Sequence, residues 1–376
     1  MEEIIIQIMD NNLFIIVLEN GKIVEYYEYD IDLLPKIDNV YKGRIKDILW
    51  NTNTIFVDYG AEKTGYLQLK EMTDEYRVGD DILVQIKKDA YGTKGAKLTN
   101  SLSLAGRNVV LFQDKNVFAI SKKNKDQIDD TSVLEKYKKY NDMGYGIVLR
   151  TDSLGVPDEI IYRQIESLID TLKKIENDYE SCESCELLYD ANDISRRIFT
   201  DFCKSKTYKI YVNNKKLYDL FLKESENQKN IYSTIPEIVF SNNMDFISEF
   251  GLETEKERIL DKKVWLKSGG YIITEKTQAL TTIDVNSGKY ASESKDNNFR
   301  TFVLKINKEA AIEAAKQIRL KNIGGMIIID FINMQNEDDK EEVKETFCKE
   351  ARKDRAKMEV FDFTKLGLLE LTRKKL

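Results

Sequence analysis

Apolar and polar residues alternate along the first third of the chain, which is typical of β-strands whose two faces meet different surroundings. Between residues 3 and 29, the runs IIIQIM, LFIIVLE and KIVEYYEY predict strands, and Asn20-Gly21 predicts a type I′ hairpin turn. After Pro35, short alternating runs separated by glycines predict five short strands. This pattern favours a small barrel of the OB type.

The spacing of apolar residues becomes helical in several later segments. YGIVLRT at 145–151 predicts a strand, and Pro157-Asp158 predicts the start of a helix with one apolar face toward a core. That face comprises Ile161, Ile165, Leu168, Leu172 and Ile175. Residues 192–260 predict a helix (ISRRIFTDFCK), a strand (YKIYVNN) and two amphipathic stretches.

From residue 263 the pattern reads strand, strand, helix, strand, helix, strand, with the helices near 307–321 and 337–354. The chain as a whole therefore predicts an α+β multidomain fold.

Composition narrows the classes of chemistry that the chain can perform. A net charge of −7 argues against a wholly basic nucleic-acid-binding surface, so nucleic-acid contact requires local patches such as Gln85–Arg107. The sequence contains no histidine, which excludes histidine general bases and Ser-His-Asp triads. Four cysteines, and no apolar run near the ~18 residues of a membrane helix, predict a cytoplasmic protein without a membrane segment.

Asp284 and Asp330 each end an apolar run, LTTI and MIII respectively. We expect such strand-end carboxylates to be surrounded by buried neighbours and therefore to be paired or to hold a cation. Mg²⁺ prefers oxygen ligands and is commonly held by one or two carboxylates. Asn286 should share the face of Asp284, since side chains two apart on a strand point the same way. The alternative is that these residues only form turns.

Three further residue sets are candidates for contacts with a nucleic acid. Phe56 and Tyr66 lie on predicted barrel strands, where exposed aromatic rings stack on single-stranded bases, and Lys94 could attract phosphate; the alternative for Phe56 is a core position. Arg150-Thr151 could capture a terminal phosphate, with a surface ion pair as the alternative. Glycine pairs near 269 and 288 allow the backbone to approach a phosphate closely. Cys182 and Cys185 have half of a zinc motif's spacing, but we expect a loop at a helix end.

The chain resembles the bacterial RNase E/RNase G endoribonucleases over nearly its whole length. The matching stretches are VYKGRI, FVDYGAEKTGYLQLKE, GTKGAKLT, SLAGR, GIVLRT, VWLKSGGYIITEKTQALTTIDVNSG, AAKQIRLKNIGGMIIIDFINM, KDRAKMEV and GLLELTRKKL. Their order and number make the resemblance specific.

The resemblance implies four parts. It implies an RNase H-like subdomain at 1–37 and 196–262, an OB-fold RNA-binding domain at 38–106, a 5′-phosphate sensor region at 107–195, and a DNase I-like catalytic subdomain at 263–376.

It also implies roles for individual residues. Asp284 and Asp330 correspond to magnesium ligands with Asn286 as their catalytic neighbour, Phe56, Tyr66 and Lys94 to the RNA-binding set, and Arg150 and Thr151 to the 5′-phosphate sensor. The implied activity is Mg²⁺-dependent cleavage of single-stranded RNA in rRNA or tRNA processing or mRNA decay. It favours 5′-monophosphorylated ends and leaves 5′-phosphate and 3′-hydroxyl products.

Two features depart from the family pattern. Family members continue after GLLEL into a CPxCxG zinc link, and this sequence contains no such motif; Asn333 replaces an acid in the IDFIDM pattern. The sequence leaves homo-oligomerisation open and argues against a zinc-linked assembly. The alternatives to an endoribonuclease are a non-catalytic RNA-binding protein and a phosphoesterase acting on DNA or nucleotides.

Overall fold

The computed structural model describes residues 2–34, 36–69, 76–114, 116–120, 135–150, 153, 155–203, 208–232, 234–288 and 297–375. They form two compact units. The first unit comprises 1–31, 209–214 and 239–376, and the second comprises 32–208 and 215–238.

The strands of the described chain are numbered in sequence order. They are β1 (Glu2–Met9), β2 (Asn12–Glu19), β3 (Lys22–Asp30), β4 (Val40–Leu49), β5 (Thr54–Asp58), β6 (Gly65–Gln68), β7 (Asp81–Lys88), β8 (Lys97–Thr99), β9 (Ser103–Ala105), β10 (Val109–Phe112), β11 (Phe118–Ile120), β12 (Gly146–Leu149), β13 (Leu187–Tyr189), β14 (Tyr208–Val212), β15 (Glu237–Phe240), β16 (Lys263–Trp265), β17 (Tyr271–Lys276), β18 (Leu280–Asn286), β19 (Gly325–Asp330), β20 (Met358–Phe363) and β21 (Leu368–Arg373).

The α-helices are numbered in the same way. They are α1 (Lys138–Asp142), α2 (Asp158–Ser181), α3 (Ile194–Arg197), α4 (Lys215–Lys229), α5 (Phe246–Glu249), α6 (Glu253–Leu260), α7 (Asn297–Leu320) and α8 (Glu337–Ala351). Within the described residues, no helix is both long and apolar enough to cross a membrane.

The first unit begins with a β-meander that matches the predicted hairpin. Strands β1, β2 and β3 pair antiparallel and belong to a five-stranded sheet in the order β15-β14-β1-β2-β3. Asn20 and Gly21 have φ angles of 52° and 72°, as the two central residues of a type I′ turn require. The predicted turn is therefore confirmed.

The second sheet of this unit has six strands in the order β16-β17-β18-β19-β21-β20. Helices α7 and α8 pack against one face, where Ile283 and Ile329 meet Ile306 and Phe347 in one buried cluster. The alternate residues of the central strands lie on the opposite face and are exposed or half-buried. The core thus lies on the helical side, and one face of the sheet stays open.

This sheet is larger than the pattern predicts. Strands β16 and β21 were not expected, because β16 has only three residues and both of its end residues are exposed. Helix α7 begins at Asn297, about ten residues ahead of the predicted start near 307. Phe299, Phe302 and Ile306 already have helical spacing, and the prediction did not use this signal.

The second unit contains the predicted barrel. Strands β4, β5, β6, β8 and β7 pair in that order, and an additional β4–β7 pairing closes the sheet. Its interior is filled by aliphatic side chains, among them Ile55, Val57 and Leu67. The closed five-stranded barrel is consistent with an OB-like fold.

Helix α2 packs beside this barrel's neighbouring four-stranded sheet, β11-β12-β10-β9. Of the five residues predicted for the apolar face of this helix, four are buried and Leu168 is half-buried. Ile169, which was not predicted for this face, is buried as well. In the 192–260 region, α3 continues as one π-helical turn at Ile198–Phe202, and strand β15 was not predicted.

Candidate active site

Asp284 and Asp330 are register partners on the parallel strands β18 and β19. Neighbouring strands lie about 4.7–4.9 Å apart, so partnered side chains on one face are close neighbours. Both aspartates lie on the open face and are exposed, while Ile283 and Ile329 are fully buried on the helical face. The expectation of buried strand neighbours is confirmed at Ile283 and Ile329, while register places the two carboxylates side by side on a face accessible to solvent.

The two carboxylates form a local concentration of negative charge. Partial desolvation, followed by the nearby charge of Asp284, raises the pKa of Asp330 above its usual value. Among the described residues, neither carboxylate forms an ion pair, and no third acidic or cysteine side chain completes a larger ligand cluster. Two adjacent uncompensated carboxylates on an open face fit the small, water-rich coordination that Mg²⁺ prefers.

Asn286 lies beside this pair, as the alternation along the strand predicts. Its Nδ2 donates a hydrogen bond of 2.7 Å to Oδ2 of Asp284. The amide therefore restricts the orientation of one carboxylate without removing its charge.

Two glycine turns meet at the same end of the sheet. A Cβ on Gly288, which has a φ angle of +69°, would lie 2.4 Å from the carbonyl oxygen of Gly269. A Cβ on Gly270 would lie 2.7 Å from the carbonyl oxygen of Asn286. Both contacts are too close for a side chain, so these glycines are required for the two turns to pack beside Asn286.

Helix α7 supports the site through residues that sequence reasoning missed. Asn307 is fully buried; its Nδ2 donates to the carbonyl oxygen of Ile332 at 2.8 Å, and its Oδ1 accepts from the Ile332 N–H at 3.1 Å. Glu309 accepts from the backbone N–H of Ser268 at 2.9 Å. These bonds attach the loop after Asp330 and the turn before Gly269 to one helix. The sequence signal that could have identified these two residues is their polar character on the inner side of an otherwise alanine-rich helix.

On the barrel, Phe56 and Tyr66 are register partners on β5 and β6. Both are half-buried on the outer face, because Ile55, Val57 and Leu67 occupy the interior. The alternative that Phe56 belongs to the core is therefore wrong. The two rings and Lys94 line a groove of about 540 Å³ together with Glu62, Lys63, Thr64, Thr93 and Gly95.

The groove is shaped by a close backbone contact. A Cβ on Gly95 would lie 1.8 Å from the carbonyl oxygen of Thr64, so only glycine fits there. Lys63 Nζ donates to the carbonyl oxygen of Gly92 at 2.6 Å, which joins the same two loops. These contacts place Lys94 beside Phe56 and Tyr66 in the groove.

Arg150 follows β12, but its guanidinium already has partners. Nη1 donates to the carbonyl oxygen of Gly106 at 2.8 Å, and Nη2 lies 3.4 Å from Oδ1 of Asp201. Thr151 lies outside the described residues. The structure thus confirms the surface ion pair that the sequence offered as the alternative for Arg150. The sequence could not identify Asp201 as the partner, because it lies far along the chain.

Cys182 and Cys185 lie in the loop that follows α2, as predicted. Burial raises the pKa of both thiols, which disfavours the thiolate form. Lys42 Nζ donates to the carbonyl oxygens of Tyr179 and Cys182 at 2.8 Å and 3.0 Å, so the helix end is attached to barrel strand β4.

Comparisons with known proteins agree with the resemblance found in the sequence. Residues 103–376 match the model of the Ribonuclease E/G family. Ribonuclease G of Haemophilus influenzae is 29% identical over 400 aligned residues, which cover 99% of this chain and 79% of that protein.

Two Escherichia coli K12 proteins show similar agreement. Ribonuclease G is 30% identical over 368 aligned residues, 90% of this chain and 73% of that protein. Ribonuclease E is 30% identical over 374 aligned residues, 93% of this chain and 35% of that protein. From the family match and these identities, we conclude that the chain belongs to the Ribonuclease E/G family.

Proposed function

We propose that this chain is a magnesium-dependent endoribonuclease that cleaves single-stranded RNA. The observation that carries the proposal is the register pairing of Asp284 with Asp330 on an open sheet face. RNA is the proposed substrate because the similar proteins are named Ribonuclease G and Ribonuclease E. The groove lined by Phe56, Tyr66 and Lys94 supports the same choice, since rings beside a cation suit single-stranded bases and phosphates.

Within this proposal, Asp284 and Asp330 hold Mg²⁺ and Asn286 keeps Asp284 in place. When bound, the ion supplies positive charge to the scissile phosphate and lowers the pKa of a coordinated water. The protein's own contribution is to keep two like charges adjacent. Partial desolvation and the repulsion from Asp284 oppose this arrangement, as the raised pKa of Asp330 shows. The proposed products carry 5′-phosphate and 3′-hydroxyl ends.

We assign Arg150, together with Thr151, to recognition of a 5′-monophosphate. The ion pair of Arg150 with Asp201 is 3.4 Å long, and both side chains are partly exposed. A terminal phosphate carries more charge than one carboxylate and can take Asp201's place at the guanidinium. The wider proposal includes RNase H-like and DNase I-like subdomains and a cytoplasmic role in rRNA or tRNA processing or mRNA decay.

The test is cleavage of a 5′-monophosphorylated, A/U-rich single-stranded oligonucleotide in Mg²⁺ and in EDTA. Wild-type protein should cleave only with the metal, and Asp330→Asn should lower the rate by at least about a hundredfold because it removes a ligand of the charge-stabilising ion. A 5′-hydroxyl oligonucleotide should be cleaved more slowly by the wild type, and Arg150→Ala should reduce that difference.

Thermal unfolding provides a second readout that does not need turnover. Mg²⁺ should raise the Tm of the wild type, since a ligand at about a hundredfold excess over its Kd contributes ~2.7 kcal/mol. It should not raise the Tm of Asp330→Asn. RNA that is bound but left intact in Mg²⁺ would favour the non-catalytic RNA-binding alternative. Equal cleavage of DNA and RNA would favour a general phosphoesterase.

A further inference from the structure

An exposed aromatic pair lies on the open face of the six-stranded sheet, outside the site described above. Trp265 on β16 is 64% exposed, and its ring contacts Tyr271 on β17 in a T-shaped arrangement with centroids 5.1 Å apart. Lys263 Nζ lies 4.1 Å from the Trp265 ring centroid and 3.7 Å from that of Tyr271. A cation and two rings therefore form one surface, which we call the Trp265 platform.

Strand register places the Trp265 platform next to the carboxylate pair. Trp265 partners Tyr271, and Tyr271 partners Asn286, so these three side chains form one row across the sheet. Lys263 starts the adjacent row, which continues through Ile273 to Asp284 and then Asp330.

Each step across the sheet is about 4.8 Å, so Trp265 lies two strands, or about 10 Å, from Asn286. That distance corresponds to about three stacked nucleotides at ~3.4 Å each, and to fewer when the strand is extended.

Core packing does not account for the platform. Val264 and Leu266 take the helical face of this edge and pack in the buried cluster, whereas Trp265 points away from it. Negative charge is unevenly distributed on the open face. Glu275 and Glu370 lie farther along the strands, on the side away from Trp265. A polyanion that reaches Asp284 and Asp330 meets fewer negative charges on the side of Lys263.

We propose that the Trp265 platform is a base-stacking subsite for single-stranded RNA, occupied by a base within about three nucleotides of the scissile phosphate. Lys263 offsets the charge of the adjoining phosphate. The role of this subsite depends on the proposed ribonuclease function. The subsite should accept any nucleobase, since every base has a π face.

RNA is a better occupant than a protein surface because of what surrounds the rings. An exposed indole ring beside a cation attracts planar, phosphate-linked groups. The platform also continues directly into the row of Asn286. A second copy of the chain covering this face is the competing occupant, and the experiment below separates the two.

Tryptophan fluorescence gives a direct test, because the chain contains two tryptophans. In a Trp50→Phe background, Trp265 is the single reporter. In EDTA, where the proposed cleavage does not occur, a single-stranded oligonucleotide should quench its emission in a saturable way. An oligonucleotide of abasic nucleotides should not. Tyr271→Ala should weaken the binding that the quenching reports by about fivefold or more.

Cleavage with abasic substitutions then locates the base. One abasic position near the scissile bond should raise the wild-type KM by about fivefold or more, with kcat changed little. Trp265→Ala should raise KM on the intact oligonucleotide by a similar factor, and in this variant the abasic position should no longer raise KM further. In Trp265→Phe the abasic position should still raise KM. Phe361→Ala, which removes a 52% exposed ring from the opposite edge strand, is the matched control and should behave like the wild type.

The outcomes separate the subsite from the proposed catalytic function. Saturable quenching by a protein that never cleaves RNA would keep the subsite and remove the ribonuclease proposal. Normal cleavage with no quenching, or with unchanged abasic sensitivity in Trp265→Ala, would overturn the subsite. Emission that changes with protein concentration in the absence of RNA, together with a dimer lost in Trp265→Ala, would assign the face to a second copy and also overturn it.

Discussion

Two β surfaces of this chain place partnered aromatic rings beside a lysine, and they differ in shape and in neighbours. On the barrel, Phe56 and Tyr66 line a groove of about 540 Å³ with Lys94 at its edge. On the six-stranded sheet, Trp265 and Tyr271 lie on an open face, in rows that lead to Asp284. Among the described residues that line the first surface, Glu62 is the one acid, whereas the second surface is an open sheet face that carries a carboxylate pair.

The difference teaches which surface suits which task. A groove contacts a strand of RNA from more than one side and therefore contributes mainly affinity. An open face contacts bases from one side only, but it can fix the position of a phosphate relative to adjacent carboxylates. We therefore expect barrel substitutions to weaken RNA binding at any base, and substitutions at the Trp265 platform to weaken only the contact with a base near the scissile phosphate.

The largest effect on RNA binding is expected at the barrel rings. Phe56→Ala and Tyr66→Ala should each weaken binding of single-stranded RNA by about 5- to 150-fold, since stacking on a ring is worth ~1–3 kcal/mol per base. Binding is measured in EDTA by fluorescence anisotropy of a labelled oligonucleotide.

Tyr91→Ala is the matched control, because Tyr91 is an 87% exposed ring near Lys94 that does not line the groove. Equal losses for all three variants would mean that exposed rings bind RNA without regard to the groove. Equal losses for the barrel rings and Trp265→Ala would remove the distinction between the two surfaces.

A smaller effect is expected at the turn that supports the open face. Gly288 and Gly21 have φ angles of +69° and +72°, but only a Cβ on Gly288 meets a neighbour, whereas Gly21 has open space. Alanine in this left-handed region costs roughly 1–2 kcal/mol at either position. Gly288→Ala must also displace Gly269, so its loss of unfolding free energy should be about twice that of Gly21→Ala.

Urea unfolding followed by Trp265 emission measures the two losses. Gly288→Ala should also slow cleavage while leaving RNA affinity at the barrel unchanged, because its turn packs beside Asn286. If both alanine variants lose the same free energy, the contact between the two glycine turns has no role in supporting the face.

How much could be foreseen differs between the two surfaces. Alternation alone indicated that Asp284 and Asn286 share a face, and the structure confirms it. Alternation also allowed an outer position for Phe56, because its neighbours Ile55 and Val57 are the better core residues. Short-range periodicity is reliable in such cases because a one-residue shift would turn every buried side chain outward.

Contacts between distant segments could not be foreseen. The pairing of Trp265 with Tyr271 depends on β16, a strand too short to show a period. The ion pair of Arg150 with Asp201 and the bonds of Asn307 to Ile332 join residues far apart in sequence. The open face around Asp284 and Asp330 could not be foreseen either, because nothing local shows that helices cover only one face of the sheet.

The smallest expected effect concerns helices α7 and α8. The six-stranded sheet packs on these helices, whereas the barrel is closed by its own strands. Arg300 on α7 donates to both carboxylate oxygens of Asp339 on α8 at 2.9 Å. The Arg300 hydrogen bonds lower the pKa of Asp339. A carboxyl group whose pKa is lower in the folded state stabilises the protein above its usual pKa of ~3.9, and this contribution is lost as the pH falls through the folded-state value.

Arg300→Met should therefore be less stable than the wild type near pH 7, and the difference should disappear as the pH falls below the folded-state pKa of Asp339. The difference should be small, because the Arg300 side chain is 60% exposed and solvent screens such pairs. Lys305→Met removes an exposed positive charge from the same helix and controls for net charge. Unfolding is followed separately by Trp265, in the first unit, and by Trp50, in the second. A shift reported by Trp50 alone would contradict the assignment, because both helices that the ion pair joins belong to the first unit.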